Sequence, residues 1–253
     1  MERLKGNVTI ITGGGKGIGF GLAQAFAREG SDLVLTGRTE SRLVAAKERL
    51  EKEYGVSVLP IVADGADEAA IKNVVAKTIG RFGKITTLVN NAQVSKSGLP
   101  LVEHTREDFD LAINSGLYAA FFYMRECFPY LKESKGSVIN FASGAGLFGK
   151  LGQSSYAAAK EGIRGMSRVA AAEWGPDGVR VNVVCPLAMT ESLQQWKENY
   201  PDLFPKTIQG IPLGRFADPM EDIGRVCVFL ASDDASYVTG ETITLQGGSG
   251  LRP

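Results

Sequence analysis

The amino-acid sequence predicts an α/β protein built on a doubly wound parallel sheet of seven strands, with helices on both faces. Three observations predict it. Short β-branched, apolar runs recur along the 253 residues, and longer segments with helical spacing separate them. The runs are apolar throughout rather than alternating, as in strands covered on both faces. The 31 glycines suit the many tight strand-to-helix turns that such a sheet needs.

The elements follow in order. The first strand, "VTIIT", runs into a glycine-rich turn and the helical segment "GFGLAQAFAREG". The second, "DLVLTG", precedes "SRLVAAKERLEKEYG", whose apolar residues recur at helical spacing. The other strands read "VSVLPIVAD", "TTLVNNA", "SVINFAS", "VRVNVVCP" and "ETITLQGG", among about six helices. No linker, repeat or low-complexity block interrupts them, so residues 1–253 read as a single dinucleotide-binding and catalytic domain. One stretch breaks the alternation. "MTESLQQWKENYPDLFPKTIQGIPLGRF" carries Pro201, Pro205 and Pro212, with Trp196, Tyr200, Phe204 and Ile208 at spacing four. That spacing suits a helix packed on the core or a mobile flap. Its place at the carboxyl end of the sixth strand, where such sheets bind ligands, favours a substrate flap at about 188–214.

Composition excludes several classes. The 28 basic and 28 acidic residues balance, which leaves no basic footprint for nucleic acid and no polybasic membrane patch. No stretch reaches the roughly 18 apolar residues of a membrane span. Cys127, Cys185 and Cys227 show no CxxC spacing, so no metal site is expected. An odd cysteine count without a signal peptide points to the cytoplasm. His104 is the single histidine, no GxSxG elbow is present, and His104 reads as a solvated loop residue. Acid–base chemistry is therefore expected to use groups other than imidazole.

The turn after the first strand, "TGGGKGIG", spaces Gly13, Gly17 and Gly19 as GxxxGxG. Glycines there permit a tight turn and close backbone approach, and the helix that follows points its N-terminus at a pyrophosphate. Gly15, Lys16 and Ile18 complete the turn. At the end of the second strand, where an NAD-preferring fold places an acid for the ribose 2′-hydroxyl, stands Gly37, followed by Arg38. With Lys16, Arg38 would meet a 2′-phosphate with two positive charges, which predicts NADP(H). The alternative is that Arg38 is only the solvated first residue of a helix.

Tyr156 and Lys160 lie four apart in "SSYAAAKEGIRG". On a helix their Cβ atoms would be about 5–6 Å apart. A cation there favours the ionised phenol and would lower its pKa from about 10. That would suit a general acid or base near neutral pH. The alternative is a surface pair without chemistry.

Taken together, "TGGGKGIG", "NNA" at 90–92, Asn114, Ser143 and "YAAAK" resemble the short-chain dehydrogenase/reductase family, over nearly the whole chain and in matching order. The resemblance implies a Rossmann-like fold and hydride transfer between a nicotinamide and a carbon of a small-molecule substrate. It implies that Tyr156 exchanges the proton at the substrate oxygen. Lys160 lowers the Tyr pKa and binds the nicotinamide ribose, Ser143 polarises the carbonyl, and Asn114 holds a water linking Lys160 to solvent. By position, Asp64 meets the adenine amino group, and Asn90 and Ala92 lie beside the adenosine ribose. Pro186 and Thr190 flank the nicotinamide. The family is commonly tetrameric, so a homotetramer is expected, with Ala158, Ala159, Gly162 and Gly165 allowing close helix packing.

Two positions depart from the family pattern. "NNAQ" places Gln93 where glycine is usual, and "CPLAMT" places Leu187 where glycine is usual. With "SGAGLFG" and the tail "GLRP" they resemble bacterial NADP-dependent 12α-hydroxysteroid dehydrogenases acting on bile acids. Leu147, Phe148, Leu151, Trp196, Tyr200 and Phe204 would form an apolar rim, with Lys96, Lys197 or Arg252 available to a distant carboxylate. The alternatives are a 3-oxoacyl-thioester reductase, a sugar or polyol dehydrogenase, or an NADP(H)-binding regulator without turnover.

Overall fold

The computed structural model describes residues 2–250. Arg252 and the end of the "GLRP" tail lie outside the described residues. Seven strands form one parallel sheet: β1 (Val8–Thr12), β2 (Asp32–Gly37), β3 (Val58–Val62), β4 (Thr87–Asn90), β5 (Ser137–Phe141), β6 (Arg180–Pro186) and β7 (Thr242–Leu245). Their spatial order is β3-β2-β1-β4-β5-β6-β7. The chain builds outward from β1 in one direction and then returns to build outward from β4 in the other. The reversal opens a crevice at the carboxyl ends of β1 and β4, where open α/β sheets bind ligands.

The helices are α1 (Gly17–Arg28), α2 (Glu40–Tyr54), α3 (Glu68–Phe82), α4 (Arg106–Ala112), α5 (Ala119–Ser134), α6 (Gly144–Phe148), α7 (Ser154–Trp174), α8 (Glu191–Asn199), α9 (Phe204–Gln209) and α10 (Arg225–Ala231). They cover both faces. Successive strand residues point to opposite faces, so both Ile10 and Ile11 must be apolar. Ile11 joins Leu22, Phe26, Leu35 and Leu43 under α1 and α2. Ile10 joins Val34, Ile71, Val75 and Leu131 under α3 and α5. Burying each such side chain contributes about 1.5–3 kcal/mol.

Local chemistry sets the boundaries. The Asp67 carboxylate caps α3 by accepting from the Ala69 and Ala70 amides, and Gly83 ends that helix in the left-handed region. The stretch "DFDLAINSGLYAAFFY" reads as one helix but is two, joined by a π-turn at Ile113–Tyr118. The proline-bearing stretch after β6 also divides, between Asn199 and Phe204. Its aromatic residues still meet: the Trp196 ring lies 6.0 Å from Tyr200 and 6.2 Å from Phe204. Phe204, Ile211 and Phe216 bury against each other, with Leu187, Met189 and Ile208 packed around them. Each break adds one helix, and the described residues hold ten α-helices in all where the sequence suggests about six. Among them, no helix is long and apolar enough to cross a membrane.

His104 departs from its expected solvation. Its side chain is fully buried, edge-on to the Phe109 ring at 5.9 Å. Both ring nitrogens lack a hydrogen-bond partner among the described residues.

Candidate active site

Two clefts open along the carboxyl edge of the sheet. The first, of about 600 Å³, lies over β1 to β4. Eleven of the twelve residues expected to hold a dinucleotide line it: Gly13, Gly15, Lys16, Gly17, Ile18, Gly19, Arg38, Asp64, Asn90, Ala92 and Thr190. Pro186 is the exception and lines the second cleft.

The glycine turn is built by close approach. A Cβ on Gly19 would stand 2.2 Å from the Gly13 carbonyl oxygen, and Gly13 has φ +70°. Below the turn, the Thr12 hydroxyl accepts from the Asn91 and Ala92 amides, both at 3.0 Å. The Asn91 side-chain amide returns a 2.9 Å bond to the Thr12 carbonyl. These bonds tie the ends of β1 and β4 together at the crevice. The sequence pattern quoted Asn91 in "NNA" without giving it this task, and Thr12 carried no signal beyond its place beside the turn.

The donor set fits an anionic dinucleotide. Lys16, at the N-cap of α1, makes no side-chain cap, and the first turn carries no acid. The amides there remain open to an anion. Lys16, Arg38 and Arg42 all line the cleft, and none is in an ion pair among the described residues. Arg42 was not anticipated; its signal was its place in the first turn of the helix after β2. Two carboxylates, Asp64 and Glu191, also line the cleft. The Asp64 carboxylate accepts from the Ala66 amide at 3.0 Å.

The second cleft, of about 450 Å³, lies over β5 and β6 and is lined by Ser143, Phe148, Lys150, Tyr156, Pro186, Leu187 and Gln246, among others. Ser143 is the N-cap of α6, and its hydroxyl oxygen accepts from the Ala145 amide at 3.1 Å. Tyr156 projects from the first turn of α7. One turn along, Lys160 is only 3% exposed. Its ammonium lies 5.6 Å from the centre of the Tyr156 ring. It donates a 2.6 Å hydrogen bond to the Phe141 carbonyl at the end of β5.

Electrostatics here reverse the sequence expectation. The Tyr156 pKa is raised, not lowered, because burial outweighs a hydrogen bond from Ser143 that favours the phenolate. Burial also pushes the Lys160 ammonium down to about 8. The lysine spends its short hydrogen bond on a backbone carbonyl rather than on the phenol, so desolvation dominates both groups. Asn114 is exposed on the π-turn and lines the first cleft with Gln93. No hydrogen bond joins it to Tyr156 or Lys160 among the described residues.

The expected apolar rim is only partly present. Phe148 and Leu187 line the second cleft. Leu147 instead packs inward on Ala142, Val183 and Cys185. Leu151 is 94% exposed and Phe204 is buried. Of the expected cations, Lys96 lies 3.8 Å from the Asp108 carboxylate. The Lys197 ammonium lies 4.9 Å from the centre of the Phe204 ring. Among the described residues, Lys150 is the one charged residue lining the second cleft. The small residues of α7 act partly inside the chain: a Cβ on Gly162 would meet Leu117 at 2.8 Å, whereas Gly165 faces open space.

The chain is similar to known proteins over its whole length. A family model described as enoyl-(acyl carrier protein) reductase matches residues 13–249. A 12α-hydroxysteroid dehydrogenase from a Clostridium species is 61% identical over the whole of both chains. A 3-oxoacyl-acyl-carrier-protein reductase from Thermotoga maritima is 38% identical over 97% of this chain and 98% of its own. The crystal structure of a levodione reductase superposes with a TM-score of 0.92 at 34% identity, over 98% of this chain and 99% of that one.

Proposed function

The chain belongs to the short-chain dehydrogenase/reductase family of nicotinamide-dependent oxidoreductases, and from that premise we propose that it interconverts a secondary alcohol and a ketone on a hydroxysteroid with NADP(H). One observation carries the chemistry: the Tyr156 phenol shares its cleft with Ser143 and sits beside a buried ammonium at the carboxyl edge of the sheet. Full-length identity of 61% with a 12α-hydroxysteroid dehydrogenase supports the substrate class.

The amides opening α1 would hold the pyrophosphate, and Lys16, Arg38 and Arg42 a 2′-phosphate. The bound dinucleotide supplies or accepts a hydride at its nicotinamide. In the reductive direction Tyr156 gives its proton to the substrate oxygen, and Ser143 hydrogen-bonds the same oxygen. The raised phenol pKa keeps that proton in place until the oxygen becomes basic. The Lys160 ammonium then stabilises the phenolate left behind, and Asn114 serves the return of a proton from solvent. Leu187 and Phe148 offer apolar surface to a bulky substrate, and residues 188–214, which share an apolar cluster with Leu187 through Met189, Phe204 and Ile208, would act as a flap.

We also propose a cytoplasmic homotetramer. Exposed apolar side chains on α5 and α7, including Phe121 and Val169, support an association surface. A second reading, reduction of a 3-oxoacyl thioester, rests on the Thermotoga maritima relative. Nicotinamide absorbance with purified protein, NADP or NAD, and a panel of bile acids, neutral steroids, acyl thioesters and polyols decides between them. Turnover of hydroxysteroids with NADP is expected. Turnover of thioesters or polyols alone would overturn the substrate class.

A further inference from the structure

We propose that Gln93 is a positioning residue that fixes the π-turn presenting Asn114; this rests on the role given to Asn114 above. The residue stands where the family pattern has glycine, yet its backbone is ordinary: among the described residues only Lys135 is a non-glycine with positive φ. The side chain therefore occupies space that a glycine would leave open, and the structure shows how that space is used.

The Gln93 carboxamide lies flat over the Gly116 α-carbon. A Cβ built on Gly116 would meet Gln93 Cδ at 2.6 Å, Oε1 at 2.8 Å and Nε2 at 3.0 Å. Nε2 donates a long, 3.4 Å hydrogen bond to the carbonyl of Ala112, the residue preceding the π-turn. That acceptor fixes the amide orientation, since the reverse would set oxygen against oxygen. The next residue repeats the attachment. The Val94 amide donates to the Ser115 hydroxyl oxygen at 3.0 Å. That hydroxyl lies 2.8 Å from the Val94 carbonyl and 2.6 Å from the Leu111 carbonyl, with one hydrogen to donate. Two consecutive residues after β4 thus grip Ala112, Ser115 and Gly116, the residues on either side of Asn114.

The grip has a physical purpose. A helix widens into a π-turn where a side chain intrudes on its regular ladder, and such turns are frequent at functional sites. The Gln93 carboxamide packs against this turn, and Gly116 supplies the room. Gln93 Oε1 is buried without a partner, so the carboxamide has one satisfied end, directed at the turn. Both Gln93 and Asn114 line the first cleft. The crevice wall and the turn that carries Asn114 are therefore joined.

Steady-state kinetics and cofactor titration of five variants test this: Asn114→Ala, Gln93→Leu, Gln93→Gly, Gly116→Ala and the double Gln93→Gly/Gly116→Ala. Gln93→Leu should lower kcat about three- to tenfold, the scale of one lost hydrogen bond, with cofactor Kd unchanged within about twofold. Gly116→Ala should lower kcat further, and removing the Gln93 side chain in the double variant should restore part of it. Unchanged kcat in Gln93→Leu, with a loss in Asn114→Ala, overturns the role of Gln93 alone. Unchanged kcat in Asn114→Ala overturns the reading of Asn114 and this proposal with it. Equal losses in kcat, cofactor affinity and melting temperature in Gln93→Leu would make Gln93 a packing residue and overturn the proposal. If Gln93→Leu does not fold, the comparison of Gly116→Ala with the double variant decides: no recovery of kcat overturns it.

Discussion

The Lys160 ammonium lies 5.6 Å from the centre of the Tyr156 ring yet gives its short hydrogen bond to the Phe141 carbonyl. The cation is thus held by the sheet before any ligand arrives. Burial holds its pKa near 8, below the ordinary 10.5. The sign of the resulting pH effect follows. Between about 8 and 10.5 the unfolded chain binds the Lys160 proton more fully than the folded one, so this group adds stability as pH rises through that window. Below about 8 the folded protein carries a buried charge at a cost. Lys160→Met should therefore be more stable than the parent at pH 7, by on the order of 1–3 kcal/mol. The gain should shrink by pH 9.5. Urea denaturation of both proteins at the two pH values checks it, and an advantage constant with pH would contradict it.

Cofactor preference should reside in the cations of the first cleft. Arg38→Ala and Arg42→Ala should each raise the KM for NADP about 10- to 100-fold, the scale of hydrogen bonds to a charged group. The KM for NAD should change little, because NAD lacks the 2′-phosphate. Parallel KM measurements with the two dinucleotides separate this from a general loss of binding.

The glycine turn should tolerate no methyl group at its tightest point. Gly19→Ala places Cβ 2.2 Å from the Gly13 carbonyl oxygen, which forces the turn open. We expect a loss of about 1–3 kcal/mol in stability together with loss of dinucleotide binding. Gly80 in α3 is the control, since a Cβ there meets no atom within 4 Å. Gly80→Ala should stabilise by about 0.5–1 kcal/mol and leave binding unchanged. Thermal melts and fluorescence titration read both.

Substrate charge should be sensed by Lys150, the one charged residue among the described residues that line the second cleft. Lys150→Ala should raise the KM for a bile-acid carboxylate by up to about fivefold, as for an exposed ion pair. The KM for a neutral hydroxysteroid should stay the same, and the difference should shrink at high salt.

The sequence made the fold legible because its signals were local. Each strand was a short apolar run, and in a sheet covered on both faces that pattern survives without alternation. The glycine turn and the Tyr156–Lys160 spacing were legible for the same reason. What depended on distant elements was not. The π-turn around Asn114 reads as helix, because the Gln93 carboxamide packed against it comes from a different part of the chain. The solvation of His104 and the inward turn of Leu147 are set by packing that no neighbouring residue announces. The Tyr156 pKa departs from what the spacing predicts because burial dominates it, while the ammonium one turn away donates to the Phe141 carbonyl.

The most direct test of the account is the Tyr156→Phe variant, assayed by nicotinamide absorbance with NADP(H) and a 12α-hydroxysteroid or its ketone. The parent should turn over. The variant should lose at least about a hundredfold in kcat, the scale of a general acid removed, while binding NADPH with unchanged affinity. A variant that kept kcat within about twofold of the parent would show that the phenol does not handle the proton, and the proposed chemistry would fall.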